Sequence, residues 1–412
     1  MPTSPLLLLT DSPPTPNGAG ISQTLYHLLQ GYPAALHLLE EAAKLPPPAE
    51  GLQYQSIPAV PNPPVARHRP ARWVQAWRYR RYLQRLPARL RHSLPALPPP
   101  ARTCVLVSTT VAHKLLLARV LQQQGFTVLP YFMDDWLAGN TLAWPGSSLQ
   151  QVAKNILHQA PAWLMISENL HLTLQQRYAL PLRPCLVVHN PASTAVGPVP
   201  PWAPAPPPHT LYYTGNVWPM HADALLATAQ AIHTLNQHQP HSWQLHLYIP
   251  PHHWRLYQAQ LAGPGVSYQG WLPYAQVQQR LPQAQYLLCT ASFAPAHQAY
   301  SHSSVQTKLT DYMAAGRPII FVGPPTSASG QFVELHDVGF TLGTAHPPDI
   351  ARRLQAIADL PALAARKAAN ALQLAQTRFS QPVVQQRLYA FLAQHSPSAS
   401  PNHAALPPVR TA

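Results

Sequence analysis

The sequence predicts an α/β fold with two Rossmann-like domains, each a parallel sheet covered by helices. The 412 residues suffice for two domains of ordinary size, each with its own core. Short apolar runs alternate with helical patterns along both halves of the chain, as in βαβ units. Between the halves, range 197–209 contains seven prolines and few bulky apolar residues, a composition typical of a semi-rigid linker.

These observations divide the chain into five parts. Residues 1–196 form the predicted N-terminal domain, 197–209 the linker and 210–375 the C-terminal domain. Residues 376–395 are predicted to form a terminal helix. The range 396–412 is rich in Pro, Ser and Ala and is expected to be disordered.

The apolar runs give the predicted strands. In the first half they lie at 6–10, 52–60, 104–108 and 127–132, and in the second half at 210–218, 245–249, 266–270, 286–290, 319–322 and 340–342. Helical patterns begin near residue 21 and cover 34–44, 113–124 and 222–236, among others. Strand and helix therefore alternate in both halves.

The charge of the chain is strongly positive. It has 27 Lys and Arg against 13 Asp and Glu, a formal net charge of +14. Such an excess favours an anionic partner: a membrane surface, a nucleotide or a lipid phosphate. The 22 histidines show no metal-ligand spacing, so no metal site is predicted.

The cysteines and the lengths of the apolar runs indicate the cellular compartment of the protein. Cys104, Cys185 and Cys289 are far apart in apolar runs, which favours buried free thiols over a disulfide framework. No apolar run approaches the length of a membrane span. We therefore expect a cytoplasmic protein, at most peripheral at the inner face of the membrane.

The range 303–323 is the first candidate site. Its start has helical periodicity, with Ser304, Lys308 and Asp311 on one polar stripe and Ser303 and Ser304 placed to cap the helix. Because a predicted strand precedes it, the helix should begin at the carboxyl edge of a parallel sheet, where ligands bind. Its N–H groups and serines suit a phosphate, and its carboxylate suits sugar hydroxyls. The alternative is a capped helix whose polar stripe faces water.

Glycines and carboxylates follow other predicted strands. Gly18 and Gly20 lie in a strand-to-helix loop where the backbone can approach a ligand closely, although a plain turn gives the same pattern. Asp134 and Asp135 follow strand 127–132 and are placed for sugar hydroxyls or proton transfer. They can equally cap the next helix.

A basic segment, residues 67–91, holds nine arginines interleaved with aromatic and leucine residues. Such a helix can lie on an anionic membrane, with Arg78, Arg80, Arg81 and Arg85 reaching the headgroups. It can also be a solvated helix flanking the core. Contact with nucleic acid would need the same charges, yet the sequence has no recognisable nucleic-acid-binding motif, so none is expected.

The sequence KLTDY, Lys308 to Tyr312, resembles the donor-site helix of GT-B-fold retaining glycosyltransferases, in the large family that includes sucrose and mannosyl transferases. Asp311 stands where that family has a glutamate that holds the nucleotide ribose. Ser303 stands where the family has its first glutamate, which is a departure, although serine-rich variants are similar. The resemblance extends to the glycine loop and to the sequence MDDW, Met133 to Trp136.

Three further segments carry the resemblance along the chain. Range 162–178 is similar to a strand, serine and helix of the family, and CLVVHNPAS, Cys185 to Ser193, is similar to its closing strand and loop. The helices after residue 349 resemble the segment that crosses back to the first domain. The likeness therefore covers about residues 5 to 390.

The resemblance implies a GT-B fold and a glycosyltransferase. Its N-terminal domain would hold a saccharide or lipid-linked acceptor, and its C-terminal domain a nucleotide-diphosphate sugar. The sugar would be transferred with retention of configuration, without metal or other cofactor, in surface polysaccharide or glycan synthesis. The implied donor-binding residues are Gly215, Ser303, Ser304, Lys308 and Asp311. The implied catalytic residues are Asp134 and Asp135, which would orient acceptor or donor hydroxyls, with Gly18 and Gly20 facing the transferred group.

One departure weakens the implied catalysis. The family usually has an arginine and a lysine after the first strand of the second domain, whereas range 214–223 here has neither. His221 is the candidate there, and a histidine is largely neutral at pH 7. The alternatives are therefore a GT-B-like protein that binds a nucleotide-sugar or glycan without catalysis and, more distantly, a nucleic-acid-binding protein.

Overall fold

The structure is a computed structural model. It describes residues 4–16, 20–41, 51–57, 97–109, 111–135, 146–192, 198–240 and 242–397, together with positions 74, 77–79, 81–82, 84–86 and 88–89 of the basic segment. Gly18, Arg80 and most of the predicted tail lie outside the described residues.

Two parallel sheets organise the described chain. The first has the strand order β3-β2-β1-β4-β5-β6-β7 and the second β10-β9-β8-β11-β12-β13. The first-sheet strands are β1 Leu6–Thr10, β2 Leu36–Glu41, β3 Leu52–Ile57, β4 Cys104–Ser108, β5 Thr127–Phe132, β6 Trp163–Met165 and β7 Cys185–Val187. The second-sheet strands are β8 His209–Thr214, β9 Trp243–Tyr248, β10 Val266–Tyr268, β11 Tyr286–Thr290, β12 Ile319–Val322 and β13 Gly339–Leu342.

The helices connect these strands. Before the linker they are α1 Ile21–Leu29, α2 Ala112–Gln123, α3 Gly146–Gln159 and α4 Glu168–Tyr178. After it they are α5 Pro219–His238, α6 Pro251–Leu261, α7 Tyr274–Arg280, α8 Gln298–Ser303, α9 Lys308–Ala314, α10 Ala328–Leu335, α11 Pro347–Ala358, α12 Pro361–Thr377 and α13 Gln381–His395.

The predicted α/β class is confirmed, and several strands have the predicted bounds. β4, β5, β11 and β12 begin and end where the apolar runs do. Every residue of β1, β4 and β11 is buried because helices cover both faces of a parallel sheet. A continuous apolar run is therefore a reliable sign of a strand in this chain.

The helix predicted at 34–44 is wrong, because its described part is strand β2. Leu36 and Leu38 pair with Leu6 and Leu8 of β1, and β2 also pairs with β3. The run LHLLEE is short enough to satisfy either periodicity. Its place between two strands decides the conformation, since tertiary context overrides local propensity.

The helix predicted to begin at Ser303 is also wrong at its start. Ser303 is the last residue of α8, where its hydroxyl donates to the carbonyl of Ala299, and Ser304 has extended backbone angles. The next helix, α9, begins at Lys308. Between them the side chain of Gln306 donates to the carbonyl of Thr290, which fixes the connecting turn against the end of β11.

The C-terminal helix α13 packs against α1 of the first half. The side-chain amides of Gln381 and Gln385 both donate to the carbonyl of His27. The rings of Tyr32 and Tyr389 meet edge to face, with centroids 5.3 Å apart. The chain therefore returns to its first sheet after completing the second.

Candidate functional site

The carboxyl ends of the two sheets meet at the turn between α8 and α9. The hydroxyl of Ser304 donates to Oδ1 of Asp134, which follows β5, over 2.6 Å. Ser167, which follows β6, donates its hydroxyl to the carbonyl of Ser303. Asn190, which follows β7, donates its amide to the carbonyl of Thr307 over 3.2 Å. Three strand ends of the first sheet thus contact this turn. We call this contact between the two halves the seam.

The carboxyl group of Asp134, which lies in the seam, has a raised pKa. Burial is the main reason that its pKa rises to about 6, and the negative charges of Asp11 and Asp135 add to the rise. The hydrogen bond from Ser304 opposes this rise because it stabilises the carboxylate. Asp134 therefore changes its charge close to neutral pH.

Asp11 belongs to the same carboxyl edge and was missed by the sequence analysis. It follows β1, and Thr109, which follows β4, donates its hydroxyl to Oδ1 of Asp11. The signal was present, because a carboxylate directly after a buried strand is the pattern that singled out Asp134.

Asp135 is placed differently from its neighbour. Both of its carboxylate oxygens accept hydrogen bonds from the guanidinium of Arg177 in α4, each over 2.7 Å. This side chain is buried, whereas that of Arg177 is partly exposed. Of the two predicted carboxylates, Asp135 is held in an ion pair within the first half, and Asp134 contacts the second half.

Lys308 reaches the carboxyl end of β8. Its Nζ donates to the carbonyl of Thr214 over 2.9 Å and lies 4.1 Å from the ring centroid of Tyr213. Burial lowers the pKa of Lys308 to about 8. Among the described residues no carboxylate lies within 4 Å of this ammonium.

Gly215 exposes backbone beside this ammonium. It directly follows β8 and has a φ of 98°, in the region that favours glycine. A Cβ placed there would lie 3.9 Å from Nζ of Lys308. Gly20 has a φ of 55° at the start of α1, with open space around it. Both positions leave room for a ligand to approach the main chain.

Asp311 contacts the first residue of α7. Its Oδ1 accepts a hydrogen bond from the hydroxyl of Tyr274 over 2.8 Å. Tyr274 begins α7, and its ring centroid lies 6.0 Å from that of His27 in α1. The sequence analysis did not find Tyr274, because nothing in its spacing links it to a residue 37 positions later.

The predicted serine ligands are already engaged within the protein. The hydroxyl of Ser303 is used inside α8, and that of Ser304 is used by Asp134. The structure therefore brings together Ser304, Asp134 and the seam, and places Lys308 with Gly215 and Asp311 with Tyr274. It does not present the Ser303 hydroxyl to a ligand.

The described part of the basic segment is helical and has two faces. Tyr79 and Leu86 are buried in the first-half core, with Tyr82 packed beside them. The opposite face is exposed and comprises Val74, Trp77, Arg78, Arg81, Gln84, Arg85, Ala88 and Arg89. The guanidinium of Arg81 lies 5.2 Å from the ring centroid of Trp77, which is 55% exposed. We call this exposed face the arginine face.

Two features are absent from the part of the chain that the structure describes: a membrane-spanning helix and a metal-binding cluster. No helix there combines the length and apolar character that a bilayer crossing needs. No group of three or more His, Cys, Asp or Glu side chains is arranged to hold a metal ion.

Solved structures share this architecture at low sequence identity. The E. coli trehalose-6-phosphate protein bound to UDP-2-fluoro glucose has a TM-score of 0.66 and 11% identity, over 95% of this chain and 99% of its own. Sucrose-phosphate synthase from Thermosynechococcus elongatus has a TM-score of 0.62 and 16% identity, over 95% and 98%. The chain has the GT-B fold.

A third GT-B structure is Anabaena HepE in complex with UDP-glucose. Its TM-score is 0.60 at 13% identity, over 95% of this chain and all of its own. No family model and no curated protein matches the chain. The likeness therefore shows the fold.

Proposed function

We propose that this protein is a retaining glycosyltransferase that moves a sugar from a nucleotide-diphosphate sugar to a saccharide or lipid-linked acceptor. The observation that carries the proposal is the hydrogen bond between Ser304 and Asp134. It joins the carboxyl edges of two Rossmann-like sheets, where ligands of such folds bind. In this proposal the donor-side and acceptor-side residues lie on the two sides of this contact.

The donor side has a group for each part of a nucleotide-diphosphate sugar. The ammonium of Lys308 suits the phosphates, and Gly215 has no side chain to block their approach. The carboxylate of Asp311 suits the ribose hydroxyls, since a carboxylate accepts strong hydrogen bonds from hydroxyls. Similar structures hold UDP, UDP-glucose or UDP-2-fluoro glucose, so a uridine diphosphate sugar is the first donor to test.

In the proposed reaction the bond between the anomeric carbon and the diphosphate breaks, and a bond from that carbon to the acceptor oxygen forms. The acceptor hydroxyl passes its proton to the carboxylate of Asp134, and the diphosphate leaves as an anion that Lys308 stabilises electrostatically. Asp134 already accepts a hydrogen bond from the hydroxyl of Ser304. An acceptor hydroxyl has the same donor chemistry, so Asp134 is the proposed residue that orients it.

Asp311→Ala is expected to weaken binding of UDP-glucose about 10- to 100-fold, because it removes the charged partner of the ribose. Binding is measured by thermal shift and calorimetry, with guanosine and adenosine diphosphate sugars beside it to fix the base. Asp349→Ala makes the same charge change on the exposed side of α11 and should leave the affinity unchanged. Equal affinity in wild type and Asp311→Ala would refute the donor-site assignment.

A second candidate is a nucleotide-sugar-binding protein without catalysis. The observation that favours it is that residues 214–223 contain no Lys or Arg. The two candidates differ in donor hydrolysis without acceptor. A transferase releases nucleoside diphosphate from the bound donor, and a binding protein leaves the donor intact.

We also propose that the arginine face lies on an anionic membrane, as a lipid-linked acceptor would require. Four arginines at positions 78, 81, 85 and 89 project from it, and Tyr79 and Leu86 fix the helix to the first-half core. Trp77 and Val74 are exposed on the same face, and an exposed tryptophan beside arginines is typical of a membrane interface. Arg80 lies outside the described residues, and its contact stays a prediction.

Replacing Arg81 and Arg85 together by Gln is expected to weaken binding to vesicles with 30% anionic lipid roughly thirtyfold, since each arginine near such a surface contributes about 1 kcal/mol. Vesicle co-sedimentation measures the change. Arg352→Gln with Arg353→Gln, both exposed in α11, is the control with the same charge loss. Equal loss in the control, or salt-sensitive binding to nucleic acid in place of vesicles, would refute the membrane assignment.

A further inference from the structure

A buried histidine without a good hydrogen-bond partner lies beside the proposed donor phosphates. His221 is 5% exposed, and neither of its ring nitrogens makes a hydrogen bond of good geometry. The backbone of Asn216 faces the ring too loosely for such a bond, although it still favours the protonated form. Buried polar groups are nearly always paired, so an imidazole left in this state calls for an explanation.

The surroundings of His221 favour an anion. It lies in the first turn of α5, a helix of 20 residues whose N-cap, Trp218, supplies no side-chain cap. The amino end of a helix carries a partial positive charge and unpaired N–H groups. The ammonium of Lys308 is close enough to act on the ring electrostatically. The exposed backbone of Gly215 lies between this helix and β8.

We propose that His221 donates a hydrogen bond from its neutral imidazole to a phosphate group of the donor. In this chain the hydrogen bond would take the place of a second cation at the donor diphosphate. The inference rests on the proposed function and extends it, because it assigns a phosphate-binding residue that carries no charge. Lys308 is then the charged partner of the same diphosphate.

The groups around the ring keep it neutral. Burial is the main cause of a low pKa of about 3 for His221, and the charges of Lys308 in α9 and His297 before α8 lower it further. Tyr300 in α8 faces the ring with centroids 6.2 Å apart, and burial keeps its hydroxyl protonated by raising its pKa. Between pH 6 and pH 8 the imidazole therefore acts as a hydrogen-bond donor without a positive charge.

Calorimetric titration with UDP and with uridine tests the assignment. His221→Ala and His221→Phe should each weaken UDP binding about tenfold, because one hydrogen bond to a phosphate is lost. The phenylalanine keeps the ring volume, so it guards against a variant that does not fold. Uridine has no phosphate, and its affinity should not change. The ratio between wild-type and variant affinities for UDP should be the same at pH 6 and pH 8.

His233→Ala is the matched control. His233 lies in the same helix and is 7% exposed, but its Nε2 contacts the carbonyl of Leu261, away from the seam. Its loss should leave UDP affinity within about twofold of wild type. Wild-type UDP affinity in both His221 variants would overturn the inference alone, as would an equal loss for uridine. Failure of the wild type to bind UDP, GDP or ADP would overturn the proposed function together with it.

Discussion

Asp134→Asn is expected to lower the rate of UDP-glucose hydrolysis about 100- to 1000-fold, because the amide cannot accept a proton or stabilise a developing charge as the carboxylate does. The rate is measured as kcat for nucleoside diphosphate release without acceptor. In the wild type the rate should also fall as the pH drops through about 6, the pKa of Asp134. An aspartate of ordinary acidity would lose its charge only near pH 4.

The serine across the seam provides a sharper readout. The hydrogen bond from Ser304 lowers the pKa of Asp134, so Ser304→Ala should raise that pKa and move the acidic limb of the rate profile above pH 6. A purely structural role of Ser304 would change the rate without moving the limb. A kcat within about threefold of wild type in Asp134→Asn would remove this residue from the reacting atoms.

Asp135→Asn is the matched control for the carboxylate itself. Asp135 is held by Arg177, so Asp135→Asn should lower the free energy of unfolding of the first half. The kcat of the folded enzyme should fall much less than it does in Asp134→Asn. An equal loss of kcat in both variants would indicate that the pair acts together. The neighbouring carboxylates would then share one catalytic role, as the sequence pattern first predicted.

Lys114→Met is expected to lower the stability of the first domain by about 3–5 kcal/mol, since it leaves a buried carboxylate without its cation. The Nζ of Lys114 lies 2.7 Å from Oε2 of Glu40 and also donates to the carbonyl of Thr10 over 2.6 Å. The two side chains are 4% and 3% exposed. For a domain of this size the melting temperature should fall by roughly 10 °C, as followed by circular dichroism.

A second substitution separates the lost pairing from lost packing. Lys114→Met combined with Glu40→Leu removes both charges, and such replacements of a buried pair are often neutral or stabilising. The double variant should therefore recover most of the stability that the single variant loses. A double variant that loses the sum of the two single effects would show that the charges do not interact.

Several strands, and the position of candidate residues directly after them, followed from the sequence where burial determines the pattern. A parallel strand covered on both faces has no polar positions, so β4, β5, β11 and β12 could be predicted to the residue. Asp134 and Gly215 each come just after a strand, at the edge where parallel strands all end.

The parts that could not be predicted depend on contacts between distant residues. Arg177 forms an ion pair with Asp135, which is 42 positions away in the sequence. Tyr274 donates a hydrogen bond to Asp311, which is 37 positions away. Local sequence periodicity carries no information about such distant partners. The same reason explains the break before Lys308, where Gln306 and Ser304 bond to groups far along the chain and interrupt a helical pattern.

Because α13 returns to α1, the chain connects the two halves twice. The polypeptide passes between the two sheets once after β7 and again between α12 and α13, where Ala192 and Ser380 form an isolated bridge. The bridge holds these two passages side by side, so two adjacent segments of the chain, and not one, join the two halves at this place.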